Sequence, residues 1–380
     1  MLKKYLVLAG VTTALVLGSG VIGLSASAQS QPTPSASALT ALEQAAEGMA
    51  KTQLLDGHLS IDTLSISSTS ITQNQNEVTV SYRVDGSTQL NYPTPQDVPK
   101  LIAETAFKAD NPLNSAQSSY VQAKIQKDTA LLQSYIDSPN PFSEDLTATG
   151  SLASDGSIIP GTVNVYFVDY EGNSIPAAQV IDSIPSPSAV EASTQEGLAN
   201  VVSHFTHSGS ASTLSSSTSS GLYEGEQNQV AYVNSWTDNT TTECSGGTNP
   251  TYQDQSYWNP SYEHIWCNDC ANYASQGLYD GGLLLNSTWE PYTNDWVNAQ
   301  GLNNYLTSLG ATPESYSAAS AGDLVWLGTP GSFYHVMTVT YDDGTNVRES
   351  AHTSDRLDIS DFTPSWSEAH FYNVFLISVG

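Results

Sequence analysis

The sequence is short of cations. Its 380 residues carry 10 Lys and Arg against 38 Asp and Glu, a formal net charge of −28, and no Lys or Arg lies between Lys127 and Arg348. A phosphate backbone is bound through clustered cations, so this balance argues against nucleic acid or an anionic membrane surface as partner. Charged residues of both signs reach only 13%, about half the usual share, and Ser, Thr, Asn and Gln supply the polarity instead. Such an acidic, lysine-poor chain suggests secretion into salty or acidic surroundings. Cysteine is scarce too: Cys244, Cys267 and Cys270 are the complete set. An odd number cannot all pair within one chain, so at least one thiol stays free or bonds to another molecule. Beyond residue 22 no apolar run is long enough to span a bilayer.

What the amino terminus does have is a processing pattern. Lys3 and Lys4 precede an apolar run over residues 6–22, and Ala26-Ser27-Ala28 supplies small residues where a signal peptidase cuts. Residues 1–28 therefore read as a secretory signal peptide and 29–36 as a Pro/Ser linker. The expected mature product is soluble and extracellular, with the cell wall as a candidate place of residence.

Residues 37–207 read as a small α+β domain of unassigned role. A helix is expected with Leu39, Leu42, Ala46 and Met49 on one face, followed by a hairpin over 59–67 and 77–84. A second helix is expected over 115–136, a strand over 162–169, and a third helix opened by a capping box from Ser193 to Glu196. His58, His204 and His207 read as surface or packing residues. Ten of the fourteen residues in 208–221 are Ser or Thr, a composition that cannot build a core, so the domain boundary is placed in this linker. All seven Trp lie beyond it.

Residues 222–380 form the second expected domain. Asn268 or Asp269 caps a helix that runs to Tyr279 and stops at Gly281-Gly282, and Asn294 caps another that ends at Gly310. The apolar period then changes to two. Strands are expected over 323–327, 334–341, 346–351 and 371–379, with Asp342-Asp343-Gly344 as a hairpin turn. Helices followed by strands give an α+β layout with helices packed on an antiparallel sheet.

Cys267-Asn268-Asp269-Cys270 admits three readings. One is C-x-x-C thiol–disulfide chemistry. Another is zinc held by His264, Cys267 and Cys270, although the ligand count falls short of the usual structural set. The third pairs Cys244 with Cys267 and leaves Cys270 alone at a helix start, where the positive helix end and a neighbouring imidazolium would favour its thiolate. His335 opens a strand, and His352 follows beyond the turn, so the two could face each other across the hairpin if both side chains share one face. His264 and His370 read as packing residues.

Asp269-Cys270-Ala271-Asn272-Tyr273-Ala274-Ser275-Gln276 resembles the Asp-Cys-x-Asn-Phe-x-Ser-Gln signature of the bacterial putative amidase domain family, with Tyr273 where Phe is commoner. That family is similar to the NlpC-type and CHAP cell-wall cysteine hydrolases, whose arrangement is papain-like. Trp296 with residues 302–310, Gly322-Asp323-Leu324-Val325-Trp326 and Tyr334-His335-Val336-Met337 fit in the same order, so the resemblance covers about residues 223–378. It implies a papain-like fold with Cys270 as nucleophile and His335 as general base. It implies His352 as the residue orienting His335, with Glu349 the runner-up. The implied reaction is hydrolysis of an amide, with bacterial peptidoglycan or another peptide-type amide as substrate and no cofactor or metal. Trp258, Trp266, Trp289 and Trp296 flank this site in sequence, as suits sugar faces or peptide side chains. The rival expectations are a catalytically inactive wall-binding or adhesion module and a C-x-x-C thiol–disulfide protein.

Overall fold

The computed structural model describes residues 31–169, 172–204, 225–239, 257–265, 268–353, 355–360 and 368–375. The expected signal peptide, the 208–221 linker, His207, Cys244, Trp266 and Cys267 lie outside them.

The chain is α+β. α1 (Ala36–Asp56) starts where the Ser35 hydroxyl accepts the Ala38 N–H, and it buries Leu42, Ala46, Ala50 and Leu54 at intervals of four. Met49, expected on that face, is exposed. β1 (Leu59–Asn74) and β2 (Glu77–Leu90) form the expected hairpin but extend past the expected ends, and Gln75 takes the turn at φ 55. α2 (Pro99–Asp110) was not expected. α3 (Ser115–Asp137) is held at its start by a reciprocal pair, the Asn114 side chain on the Gln117 N–H and the Gln117 side chain on the Asn114 N–H. β3 (Asn140–Ser151), β4 (Asn164–Val168), β5 (Ser174–Pro176), α4 (Ala177–Asp182) and α5 (Pro187–His204) complete this half. Ser193 and Glu196 do not open a helix. They lie inside α5, which begins at Ser186-Pro187, where proline has no N–H to leave unpaired and the Ser186 hydroxyl accepts the Ala189 N–H.

The second half supplies α6 (Glu226–Ser235), α7 (Cys270–Asp280), α8 (Asn294–Val297) and α9 (Ala299–Leu309), then β6 (Thr312–Glu314), β7 (Leu324–Thr329), β8 (Ser332–Asp342), β9 (Val347–Ala351), β10 (Arg356–Ile359) and β11 (Ala369–Asn373). The helix expected from Asn294 to Gly310 is two helices. Asn298 breaks it with an extended backbone and caps α9 through the Gly301 N–H. The strands run in the order β1-β2-β3-β10-β9-β8-β7-β11-β6, with β4 and β5 branching from β3. Among the described residues all pairings are antiparallel except β3 with β10, which run parallel through Ser143 and Ile359, so the sheet is mixed.

α7 and α9 cover one face of the second half's strands, packing Ala274, Leu278, Leu302 and Leu306 against Trp326 and Val336. The other face carries Val325, Leu327, Met337, Val339 and Ala351. Between the halves lies an ionic seam. The Lys100 ammonium donates to the Ala319 carbonyl and lies 3.4 Å from Asp342 Oδ1. Lys124 Nζ reaches Ser320 Oγ at 2.8 Å and Asp128 Oδ2 at 3.2 Å. Arg348 returns a cation from the second half to Thr88 Oγ1 at 2.6 Å and stacks 4.3 Å over Tyr341. Lys100, Lys124 and Arg348 are buried, so each charge needs these partners to offset its desolvation. A cavity of about 260 Å³ lined by Lys127, Tyr135, Glu226, Val230, Tyr341 and Arg348 lies on this seam, and none of Cys270, His335 and His352 lines it.

Candidate active site

Cys270 is the first residue of α7, as expected, and Asp269 is its N-cap residue. The Asp269 side chain does not cap the helix. Its Oδ1 accepts from the Ile265 N–H and from Asn272 Nδ2, each at 2.8 Å, and its Oδ2 meets His352 Nδ1 at 2.7 Å and His264 Nδ1 at 3.3 Å. The free N–H groups at the helix start go elsewhere: those of Asp269 and Cys270 both donate to Thr353 Oγ1, at 3.0 and 3.2 Å. Thr353 stands at φ 91, a left-handed backbone that a β-branched residue rarely adopts, and it follows directly on His352.

Cys270 is 5% exposed and packs with Val336 and Ala271. Burial pushes the thiol up to about 11, against the backbone N–H groups of Val336 and Ala271 and the Thr353 hydroxyl, which favour the thiolate; the Asp269 charge adds to the rise. Burial therefore outweighs the helix end, and the thiol is protonated at neutral pH.

His352 is also buried, yet its pKa is raised. Burial opposes the charge, but the Asp269 hydrogen bond and carboxylate prevail, with Asp355 and the Trp236 carbonyl adding to them. Its Nε2 lies 2.6 Å from the Trp236 carbonyl, and the ring stacks on Tyr273 at 3.8 Å. The ring thus donates from both nitrogens, as an imidazolium does. Asp269 is correspondingly held well below the usual carboxylate range, its burial overcome by hydrogen bonds from His264 and His352.

The register sorts the expected residues by sheet face. Val336 pairs with Trp326 and His335 with Leu327, and directly paired residues share a face. Val336 and Trp326 pack with Cys270, whereas Leu327 packs with Met337 and Val339 on the other side. His335 therefore stands on the face away from α7. Burial first, and the Arg356 charge second, drive its pKa down to about 3, so it is neutral. Glu349, paired with Val339, shares the His335 face. The structure thus gathers Cys270, Asp269, His264, His352 and Thr353 at one helix start, and sets His335 and Glu349 across the sheet.

A bulge produces this division. At the turn Tyr341 pairs with Arg348, a register that would carry His335 and His352 onto one face if continued. One residue slips between Val339 and Tyr341, so Thr338 pairs with Ser350, and a single-residue slip exchanges the faces.

Sequence reasoning gave three members of the site other roles or none: His264 read as packing, Asp269 as a helix cap and part of the octapeptide, and Thr353 only as part of a His-Ser/Thr-x-Asp resemblance. Asn272 was visible only inside the octapeptide. It joins Asp269 to Trp296, whose Nε1 donates to Asn272 Oδ1 at 2.7 Å, and Asn272 Nδ2 also reaches the Glu263 carbonyl at 3.0 Å.

Residues 223–374 match the family model of a putative amidase domain. The match supports an amide hydrolase in this part of the chain, and it encloses every residue of the site just described. A stretch of 71 residues is 32% identical to the uncharacterized protein YjcM of Bacillus subtilis (strain 168). That stretch is 17% of this chain and 17% of the relative's own length. No solved structure matches the chain.

Proposed function

We propose that the second half hydrolyses an amide bond with Cys270 as nucleophile, in a chain secreted after removal of residues 1–28, and that its substrate is a peptide-type amide of bacterial peptidoglycan. The observation that carries this reading is the placement of Cys270 at the first turn of α7, beside the Asp269–His352 pair, within the segment that matches the amidase family.

The chemistry follows from the protonation states. The thiol keeps its proton at rest, so attack on the carbonyl carbon requires an imidazole to take that proton as the C–S bond forms. The carbonyl oxygen becomes an oxyanion, and the Cys270 N–H can hold it once Thr353 Oγ1 gives way. The imidazolium returns its proton to the amine as the C–N bond breaks. Water then cleaves the thioester, giving one carboxylic acid and one amine.

Two histidines compete for the proton. The family resemblance assigns His335, with His352 or Glu349 orienting it. His352 lies next to the Cys270 turn and is braced by Asp269, but its Nε2 is held by the Trp236 carbonyl, so it can accept the thiol proton only once that bond is released and the ring is neutral. Incubation with purified peptidoglycan, with fragments identified by mass, tests the reading. Cys270→Ala is expected to abolish cleavage, and a variant that still cleaves overturns the cysteine mechanism. His335→Gln and His352→Gln decide the base, since the true base loses turnover by orders of magnitude. One observation favours a second reading, a wall-binding module without turnover: the sulfur is buried and protonated. Binding of peptidoglycan with no fragment released would decide for it.

A further inference from the structure

Two imidazole nitrogens and one carboxylate oxygen converge beside Cys270. His264 Nδ1, Asp269 Oδ2 and His352 Nδ1 offer ligand atoms within 4.8 Å of one another. They come from the loop before α7, the α7 N-cap and the segment after β9, so the fold brings them together rather than local sequence. We infer that His264, Asp269 and His352 form a binding site for one divalent ion of the zinc class.

Each donor is already oriented. The Trp236 carbonyl holds the Nε2–H of His352 at 2.6 Å and Nδ1 faces Asp269 Oδ2 at 2.7 Å, so an ion bound between them would displace the Nδ1 proton and take its place. A ring whose outer nitrogen is tied to a backbone carbonyl is the usual second-shell arrangement of a metal-bound histidine. The Ile265 N–H and Asn272 Nδ2 fix Oδ1 of Asp269, so Oδ2 is the oxygen presented to the two rings. Stacking sets both ring planes, His352 on Tyr273 and His264 on Trp258. Asp355 adds a second observation. It is 2% exposed, close enough for its charge to act on His352 and Asp269, and its Oδ1 has no hydrogen-bond partner among the described residues. A buried carboxylate oxygen left without a donor is costly, and a cation or its bound water relieves it.

The donor set selects the ion. Two nitrogens and one carboxylate suit zinc, cobalt or nickel, and magnesium and calcium prefer all-oxygen shells. Three protein ligands leave a fourth tetrahedral position for water. Such an ion would brace the loop before α7 against the end of β9. The site differs from the zinc reading at His264, Cys267 and Cys270, which uses thiolates, and an ion here would take the Asp269–His352 pair out of proton transfer and leave that role to His335.

Titration calorimetry of the mature full chain with Zn²⁺, and visible spectroscopy with Co²⁺, tests it. One ion per chain is expected, with a tetrahedral Co²⁺ spectrum free of a thiolate-to-cobalt charge-transfer band. His264→Gln, whose ring is partly exposed, is expected to weaken binding more than tenfold, and Cys270→Ser is expected to bind as the wild type does. Zinc should raise the wild-type melting temperature and leave that of His264→Gln in place. Absence of binding, a sulfur charge-transfer band, or full affinity in His264→Gln each overturns the inference.

Discussion

Asp342 ends β8 at the ionic seam, and its titration should govern how stability changes between mild acid and neutrality. Its Oδ1 accepts the Gly344 N–H at 2.6 Å and lies 3.4 Å from Lys100 Nζ, and its Oδ2 has no partner among the described residues. Burial pushes the carboxyl up to about 7, although Lys100 and the Gly344 N–H pull the other way. In the unfolded chain an aspartate titrates near about 3.9. The folded value is the higher one, so the fold favours the protonated form. This contribution is complete below about pH 4 and is lost as the pH rises to about 7. Roughly three units at about 1.4 kcal/mol each make it about 4 kcal/mol. Asp342→Asn keeps an acceptor for the Gly344 N–H and cannot titrate. Equilibrium unfolding of both proteins from about pH 4 to about pH 8 isolates the effect, because Glu104 and Glu314 (also raised) and Asp128 and Asp269 (lowered) titrate alike in both. The advantage of the wild type over the variant should shrink by about 4 kcal/mol across that range. Parallel curves, with a constant difference, would refute the reasoning.

Three more outcomes are expected. Alkylation of Cys270, followed by mass on its own peptide, should be slow at neutral pH and rise about tenfold per unit toward the thiol pKa of about 11; a rate already at its plateau in mild acid would show that burial does not govern the sulfur. Gly322→Ala should cost about 3 kcal/mol, because Gly322 sits at φ 98 and a Cβ there would stand 2.1 Å from Cβ of Glu226; an unchanged melting temperature would contradict the close approach of α6. Asn272→Ala should cost about 3 kcal/mol by stranding the Trp296 Nε1–H and the Glu263 carbonyl, and chemical denaturation that finds the variant as stable as wild type would argue against that network.

The sequence made local features legible where short-range chemistry decides them. The Asn114–Gln117 pair starts α3, and Asp343 Oδ1 ties the β8–β9 turn by accepting the Thr345 and Asn346 N–H groups at 2.8 and 2.9 Å. α7 starts right after Asp269 and ends at Asp280 before Gly281, as read from the sequence, although the Asp269 side chain makes no cap. Features set by distant partners stayed hidden. β10 is four residues long with little apolar alternation, and only its neighbours β3 and β9 make it a strand. The face of His335 depends on the bulge between Val339 and Tyr341, which no residue type announces. His264 looked like packing because its partner Asp269 was itself assigned to a cap.

The parallel pairing of β10 with β3 also bears on how the chain is made. Residues 31–204 leave the ribosome first, and the edge of β3 beside Ser143 then waits for residues 356–359, more than two hundred positions later. Until they arrive, that edge can recruit a strand from another nascent chain. Lys100 meanwhile lacks the Ala319 carbonyl and the Asp342 carboxylate that will surround it. Producing either half by itself should therefore give aggregates, and dilute co-production of the two should rescue both.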